Sequence, residues 1–226
     1  MQHRLKRALT PDSFGLATLA LAGVLAATSC TETVDPVPPG ALIEAAKAGQ
    51  TEAVRNLLDS GADVDEQDAG GETPLMAAAL TGRQELAQIL LAAGASVDQK
   101  SHRGGTALMA AALTGWDNVA ELLLEASADV NARNNGGGTP LMHAALGGSQ
   151  KVARILLSAG AEVDERNDEG GTALMGAVLQ GHIAVVQTLL DAGADKSLVD
   201  GQGASALVIA RTREFTPIVE LLQKHR

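Results

Sequence analysis

Thr73, Thr106, Thr139, Thr172 and Ser205 follow one another at intervals of 33 residues, and Leu75, Leu108, Leu141, Leu174 and Leu207 keep the same interval. The segments "GETPLMAAALTG" (71–82), "GGTALMAAALTG" (104–115), "GGTPLMHAALGG" (137–148) and "GGTALMGAVLQG" (170–181) are near copies of one another. A fixed period of this length means a stack of one supersecondary unit, each copy burying a face that it cannot bury alone. Aromatic content agrees. With only Phe14, Trp116 and Phe215, and no Tyr, the core must be built from Leu, Val and Ala in thin layers.

The unit reads as two short helices. Thr is a good N-cap, and Pro74 or Pro140 at the first helical position gives up no needed N–H. Leu75, Ala78 and Ala79 then share one face, where alanines let the next copy approach. Glycines at 82, 115, 148 and 181 break the first helix. The second carries leucine pairs at 57–58, 90–91, 123–124, 156–157, 189–190 and 221–222. It ends at Gly61, Gly94, Gly160 or Gly193, each predicted to be left-handed. Ser127 replaces that glycine in the third unit, at a cost of about 1 kcal/mol.

These residues resemble the ankyrin repeat. "TPLM" and "TALM" are similar to the family's Thr-Pro-Leu-His, and "ILLAAGASVD", "LLLEASADVN" and "ILLSAGAEVD" to its Leu-Leu-x-x-Gly-Ala-Asp-Val-Asn. The resemblance covers residues 41–226. It implies an all-α ankyrin repeat solenoid of about six helix–turn–helix repeats joined by β-hairpin loops. The N-cap repeat is expected at 41–70, full repeats at 71–103, 104–136, 137–169 and 170–202, and the C-cap repeat at 203–226. Glu44 and Lys47 on the first helix, and "IARTRE" and "QKHR" near the end, suit exposed terminal repeats. Where the family has His, this chain has Met76, Met109, Met142 and Met175, with Val208 in the last such place. Core packing is the expected use of these methionines. A methionine ladder acting as a metal or redox sensor is a remote alternative.

The start of the chain reads as an address. "MQHRLKR" is basic and "FGLATLALAGVLAATSC" is uncharged, so residues 1–29 fit a signal peptide whose apolar part is short for a membrane span. The end, "LAATSC", resembles the bacterial lipobox, which implies that Cys30, the only cysteine, is lipidated. This chain has Ala27 where the lipobox prefers Leu, and Asp12 is unusual in a signal's basic region. Plain cleavage near Ala26 or Ala27 and an uncleaved anchor remain as alternatives. Residues 30–40, with Pro36, Pro38 and Pro39, read as a tether. The implied setting is the bacterial periplasm or outer membrane, with membrane contact only through the N-terminal lipid.

No reactive constellation is evident. His-Glu-x-x-His, Gly-x-Ser-x-Gly and Walker sequences are absent, and His3, His102, His143, His182 and His225 lack metal-ligand spacing. "GQGASA" (201–206) has no strand before it, and "DVDEQD" (63–68) puts Gln67 and Ala69 where a calcium loop needs ligands and Gly. No enzyme, cofactor or metal is expected. Without residues 1–29 the chain has 14 Lys and Arg against 26 Asp and Glu, a surface that repels nucleic acid.

The partner implied by the family resemblance is a protein, bound by a monomer along the concave surface of hairpin tips and first helices. The tip positions are Ala69, Gly70, Glu72, His102, Arg103, Gly105, Asn135, Gly136, Gly138, Asp168, Glu169 and Gly171. The helix-end positions are Leu80, Thr81, Leu113, Thr114, Leu146, Gly147, Leu179 and Gln180. The four leucines form either an apolar binding strip, each contributing about 1.5–3 kcal/mol when covered, or a lid that stabilises the stack. Trp116 is a further candidate contact. His143 is expected on the face farthest from the core, together with Ala77, Ala110 and Gly176. Glu162, Asp164, Glu165, Asp168 and Glu169 form either a solvated rim or a seat for a basic partner. Two uses of such a groove stand open: a scaffold holding its partner, and an inhibitor or immunity-type protein blocking an envelope enzyme or toxin.

Overall fold

A computed structural model describes residues 37–225. Within them, twelve helices form six antiparallel pairs. The pairs are α1 (Ala41–Ala48) and α2 (Thr51–Asp59), α3 (Pro74–Thr81) and α4 (Gln84–Ala92), α5 (Ala107–Thr114) and α6 (Asp117–Glu125). They continue as α7 (Pro140–Gly147) and α8 (Gln150–Ser158), α9 (Ala173–Leu179) and α10 (Ile183–Asp191), α11 (Ala206–Thr212) and α12 (Thr216–Lys224). First helices pack on neighbouring first helices, and second helices on neighbouring second helices, so the architecture is an all-α repeat solenoid. No helix among the described residues is long and apolar enough to cross a membrane. Cys30 and the signal-like residues 1–29 lie outside the described residues, as does most of the 30–40 tether.

Local chemistry sets each first helix. The Thr73 hydroxyl accepts from the Met76 N–H at 3.2 Å, and Thr106, Thr139, Thr172 and Ser205 do the same three residues on. The residues behind those caps form the core: Leu75, Ala78 and Ala79 in α3 and Leu108, Ala111 and Ala112 in α5 are all buried. Met76, Met109, Met142 and Met175 are buried too, as packing residues. In the second helices Leu90, Leu123 and Leu156 are buried, while Leu91, Leu124 and Leu157 only pack against the core edge. Ser127 has φ 68°, the left-handed conformation of the glycines it replaces. Glu214, at the place of Gly181 one repeat later, is also left-handed at φ 58°.

The connecting loops are tight hairpin turns with almost no strand to either side. Among the described residues there is only an isolated antiparallel bridge, Val199 with Ser205. One backbone bond closes each turn, Asp68 N–H to the Glu72 carbonyl, Ser101 to Gly105, Asn134 to Gly138, Asn167 to Gly171 and Asp200 to Ala204, at 2.9–3.1 Å, and a side chain reinforces it. Asp68 Oδ1 accepts from the N–H groups of Gly70 and Glu72, and Asn134, Asn167 and Asp200 repeat the arrangement. Neighbouring tips then join by backbone bonds: His102 N–H to the Gly70 carbonyl, Asn135 to Arg103, Asp168 to Gly136 and Gly201 to Glu169, at 2.7–3.0 Å.

A second series of bonds locks the repeats together. The backbone N–H of Ser96 donates to Asp65, Asp129 to Asp98, Glu162 to Asn131 and Asp195 to Asp164, at 2.8–3.0 Å. Much of the acidic character of the loops is therefore structural.

The two ends carry their own caps. Helix α1 lacks a Thr cap, and the Glu66 carboxylate accepts from the N–H groups of Gly40 (3.0 Å) and Ile43 (2.7 Å). At the other end Lys196, which replaces the Val of "DVD" and "DVN", donates to the carbonyls of Leu222 (2.9 Å) and His225 at the end of α12. An anion at a helix N-terminus and a cation at a C-terminus also suit the helix dipole.

Candidate functional site

The face made by the first helices and the loop tips carries most of the residues singled out in the sequence. Leu80, Leu113, Leu146 and Leu179 are 45, 42, 37 and 38% exposed, so each presents a large part of its side chain to solvent. Their backbones sit in the last turn of α3, α5, α7 and α9, and the close packing of these helices lines them up. Leu146 also leans on the next repeat: a Cβ built on Gly176 would lie 3.4 Å from its Cδ2. At Gly147 a Cβ would overlap the Leu113 carbonyl, so α5 and α7 approach closely there and no larger residue fits.

Several candidates are engaged within the fold. The Thr81 and Thr114 hydroxyls donate back to the carbonyls of Ala77 and Ala110, both at 2.8 Å. His143 is half-buried and its Nδ1 lies 2.8 Å from the Thr139 carbonyl. The expectation that this position lies farthest from the core fails at Ala77, which is 2% exposed. Tight stacking of first helices covers positions that a single helix would leave open. Trp116 keeps an exposed ring, but its Nε1–H donates to the Leu80 carbonyl at 3.1 Å and the ring covers Gly82. His182 occupies the equivalent place one pair of repeats later, with Nε2 3.1 Å from the Leu146 carbonyl.

The loop-tip candidates His102, Arg103, Asn135, Asp168 and Glu169 are exposed, as is Gln180 at the end of α9. Asn135 Nδ2 donates to the His102 carbonyl at 2.9 Å. Arg133 pairs with Glu165 and stands 3.7 Å from Asp168, while Lys100 donates to the Arg133 carbonyl. At the first repeat Lys47 takes the place of the leucines and binds Asp68 at 2.8 Å. That hydrogen bond, with backbone N–H donors from Glu72 and Gly70, holds the Asp68 carboxyl down at about 2.

One part of this face deepens into a pocket of about 620 Å³, a volume usual for ligand sites. It brings Leu146, Leu179 and Glu169 together with Gly176, and with Val208 and Arg213 of the last helix pair. In the sequence that last pair reads as the C-cap repeat, with Val208 in the last methionine place. The missed signal was the coincidence of Gly176, where other repeats have Ala77, Ala110 and His143, with an exposed Val208 in the place of a buried methionine. Among the described residues no cluster of His, Cys, Asp and Glu is arranged to hold a metal ion. The chemistry available is apolar contact, loop-tip hydrogen bonding and charge pairing.

No curated protein matches the chain significantly. The family model described as "Ankyrin repeats (3 copies)" matches in overlapping windows, residues 27–101, 94–167, 130–200 and 156–226. Repeated matching along nearly the whole chain agrees with the six helix pairs, the recurrent Thr caps and the bonded loop tips, and the family is typically non-enzymatic. This protein belongs to the ankyrin repeat family and is built as a protein–protein interaction scaffold.

Proposed function

We propose that the protein is a non-enzymatic scaffold of the bacterial cell envelope that holds one protein partner against its first-helix face. The observation that carries this reading is the row Leu80, Leu113, Leu146 and Leu179, large apolar side chains left exposed at the same place in four repeats. Exposed apolar side chains in a row, rimmed by polar loop tips, are what an interface core requires. A monomer would offer the whole row to its partner. The envelope setting is supported by the basic start, the apolar run and the small residues before Cys30, which would be acylated and followed by a proline-bearing tether.

A photo-crosslinking residue placed at Leu113 should give a discrete adduct in envelope preparations, and one placed at the exposed Glu121 of α6 should not. Equal labelling from both positions would sink the groove reading. If the captured partner is an enzyme or toxin that loses activity when bound, the scaffold acts as an inhibitor. Radiolabelled palmitate should enter the wild-type protein and not Cys30→Ser; label in neither would remove the lipid anchor.

A further inference from the structure

The pocket over Gly176 has two charged edges that the fold itself does not use. Of the acidic residues near the fourth and fifth loops, Asp164 accepts from the Asp195 N–H, Glu165 pairs with Arg133, and Asp168 lies beside the same guanidinium. Glu169, exposed and lining the pocket on its loop side, has no ion pair among the described residues. Arg213, exposed at the C-terminal end of α11, lines the opposite side and likewise has no ion pair among them. Between these edges the floor is apolar: Gly176 leaves a gap, and Leu146, Leu179 and Val208 wall it.

We infer that this pocket takes an extended segment of a partner protein carrying a basic residue, a large apolar residue and an acidic residue at alternate positions. The inference rests on the first-helix face being the binding surface. Its dimensions follow from the helices. From the cap Ser205 to Arg213 is eight residue steps, about 12 Å along a helix axis. An extended chain covers about 13 Å in four residues and turns positions i, i+2 and i+4 to one side. The basic side chain then meets Glu169, the acidic one meets Arg213, and the apolar one fills the space above Gly176. Because the charges lie on the two edges, a segment running in either direction can satisfy them, but a like-charged segment cannot.

The test uses the 15N-labelled full chain at 0.15 M salt, where the long-range field of an acidic protein is screened beyond about 8 Å. Three blocked peptides serve as probes: Ac-Lys-Ser-Phe-Ser-Glu-NH2, Ac-Lys-Ser-Phe-Ser-Lys-NH2 and Ac-Glu-Ser-Phe-Ser-Glu-NH2. The mixed peptide should shift the Gly176 and Val208 amides and bind about two- to five-fold tighter than either like-charged peptide, the usual weight of one exposed charge pair. Glu169→Arg should move the preference to the Glu-Glu peptide, and Arg213→Glu to the Lys-Lys peptide. Gly176→Leu should abolish the shifts; the position is helical and its Cβ would meet only the Leu146 side chain, at 3.4 Å. Absence of shifts with all three peptides, or equal affinities unmoved by the charge reversals, would overturn the inference. If crosslinking from position 113 persists in that case, the scaffold reading stands and only this occupant is lost.

Discussion

The indole N–H of Trp116 donates to the carbonyl of Leu80 at 3.1 Å, tying the second helix of one repeat to the end of the first helix of the repeat before it. The same ring lies over Gly82, whose φ of 70° is left-handed. Arg83, His182 and Phe215 cover Gly49, Gly148 and Gly181 in the same way. The glycine that follows each of the first five first helices thus answers two demands, a backbone conformation and a seat for the next repeat.

Those demands separate in mutants. Gly94 is left-handed at φ 93° but has no atom within 4 Å of an added Cβ, so Gly94→Ala should lose only the conformational cost, about 1–2 kcal/mol. Gly82→Ala should lose that plus the overlap with the indole, a further 1–3 kcal/mol or so. In a Trp116→Ala background the difference between the two glycine variants should shrink, a coupling that chemical denaturation reads directly. Equal losses in both backgrounds would show that Trp116 does not pack on Gly82.

The left-handed non-glycine residues should behave in the opposite sense. Ser127→Gly and Glu214→Gly each relieve a positive φ and should raise stability by up to about 1 kcal/mol, since glycine's greater unfolded entropy offsets part of the gain. Calorimetric melting would check this, and a lower melting temperature for Ser127→Gly would contradict the assigned conformation.

At the ends, Glu66→Ala should uncap α1 and cost about 0.5–2 kcal/mol, the range of a lost N-cap. Hydrogen exchange at Gly40 and Ile43 should quicken while that at Ala120, whose buried N–H donates to Trp116 in the middle of the stack, stays slow. Lys196→Met should loosen the last turn of α12 and leave α1 untouched. Exchange that quickens uniformly along the chain would show that these residues are not local caps.

Asp68 supplies a pH dependence. In the unfolded chain it takes up its proton near pH 4, and in the fold only at about 2, chiefly because Lys47 donates to it. Its contribution to stability is therefore complete above about pH 4 and is lost as the pH falls toward 2. In Lys47→Met the Asp68 carboxyl should titrate higher, yet still below an ordinary carboxylate, because the Glu72 and Gly70 N–H groups remain. Carboxyl NMR titration tests this; an unchanged Asp68 in Lys47→Met would contradict the pairing.

What the sequence disclosed was whatever depends on neighbours a few residues away. The Thr caps act three residues along, the glycine breaks act at their own φ, and the left-handed Ser127 followed from its place in the period. What it hid depends on groups brought together across repeats. Glu66 caps a helix that begins 25 residues before it, and Lys196 closes one that ends well after it. Asp65, Asp98, Asn131 and Asp164 recur every 33 residues, but their partners lie 31 residues further on, so their recurrence alone did not reveal their role. The exposed leucine row was visible as a choice between strip and lid. The pocket over Gly176 was not, because Val208 reads as the last member of the methionine series and Arg213 as part of the C-cap.

The most direct test of the leucine row is Leu113→Ala combined with Leu146→Ala, measured for partner capture by a photo-crosslinking residue placed at the exposed loop tip His102 and for melting temperature in the same preparation. Both side chains are more than one-third exposed, so their loss should remove the adduct while the melting temperature stays near wild type. Leu141→Ala, a truncation of a fully buried neighbour, sets the contrasting scale at about 2–5 kcal/mol. Capture at wild-type yield by the double variant, or a melting loss as large as that of Leu141→Ala, would contradict a binding role for the row.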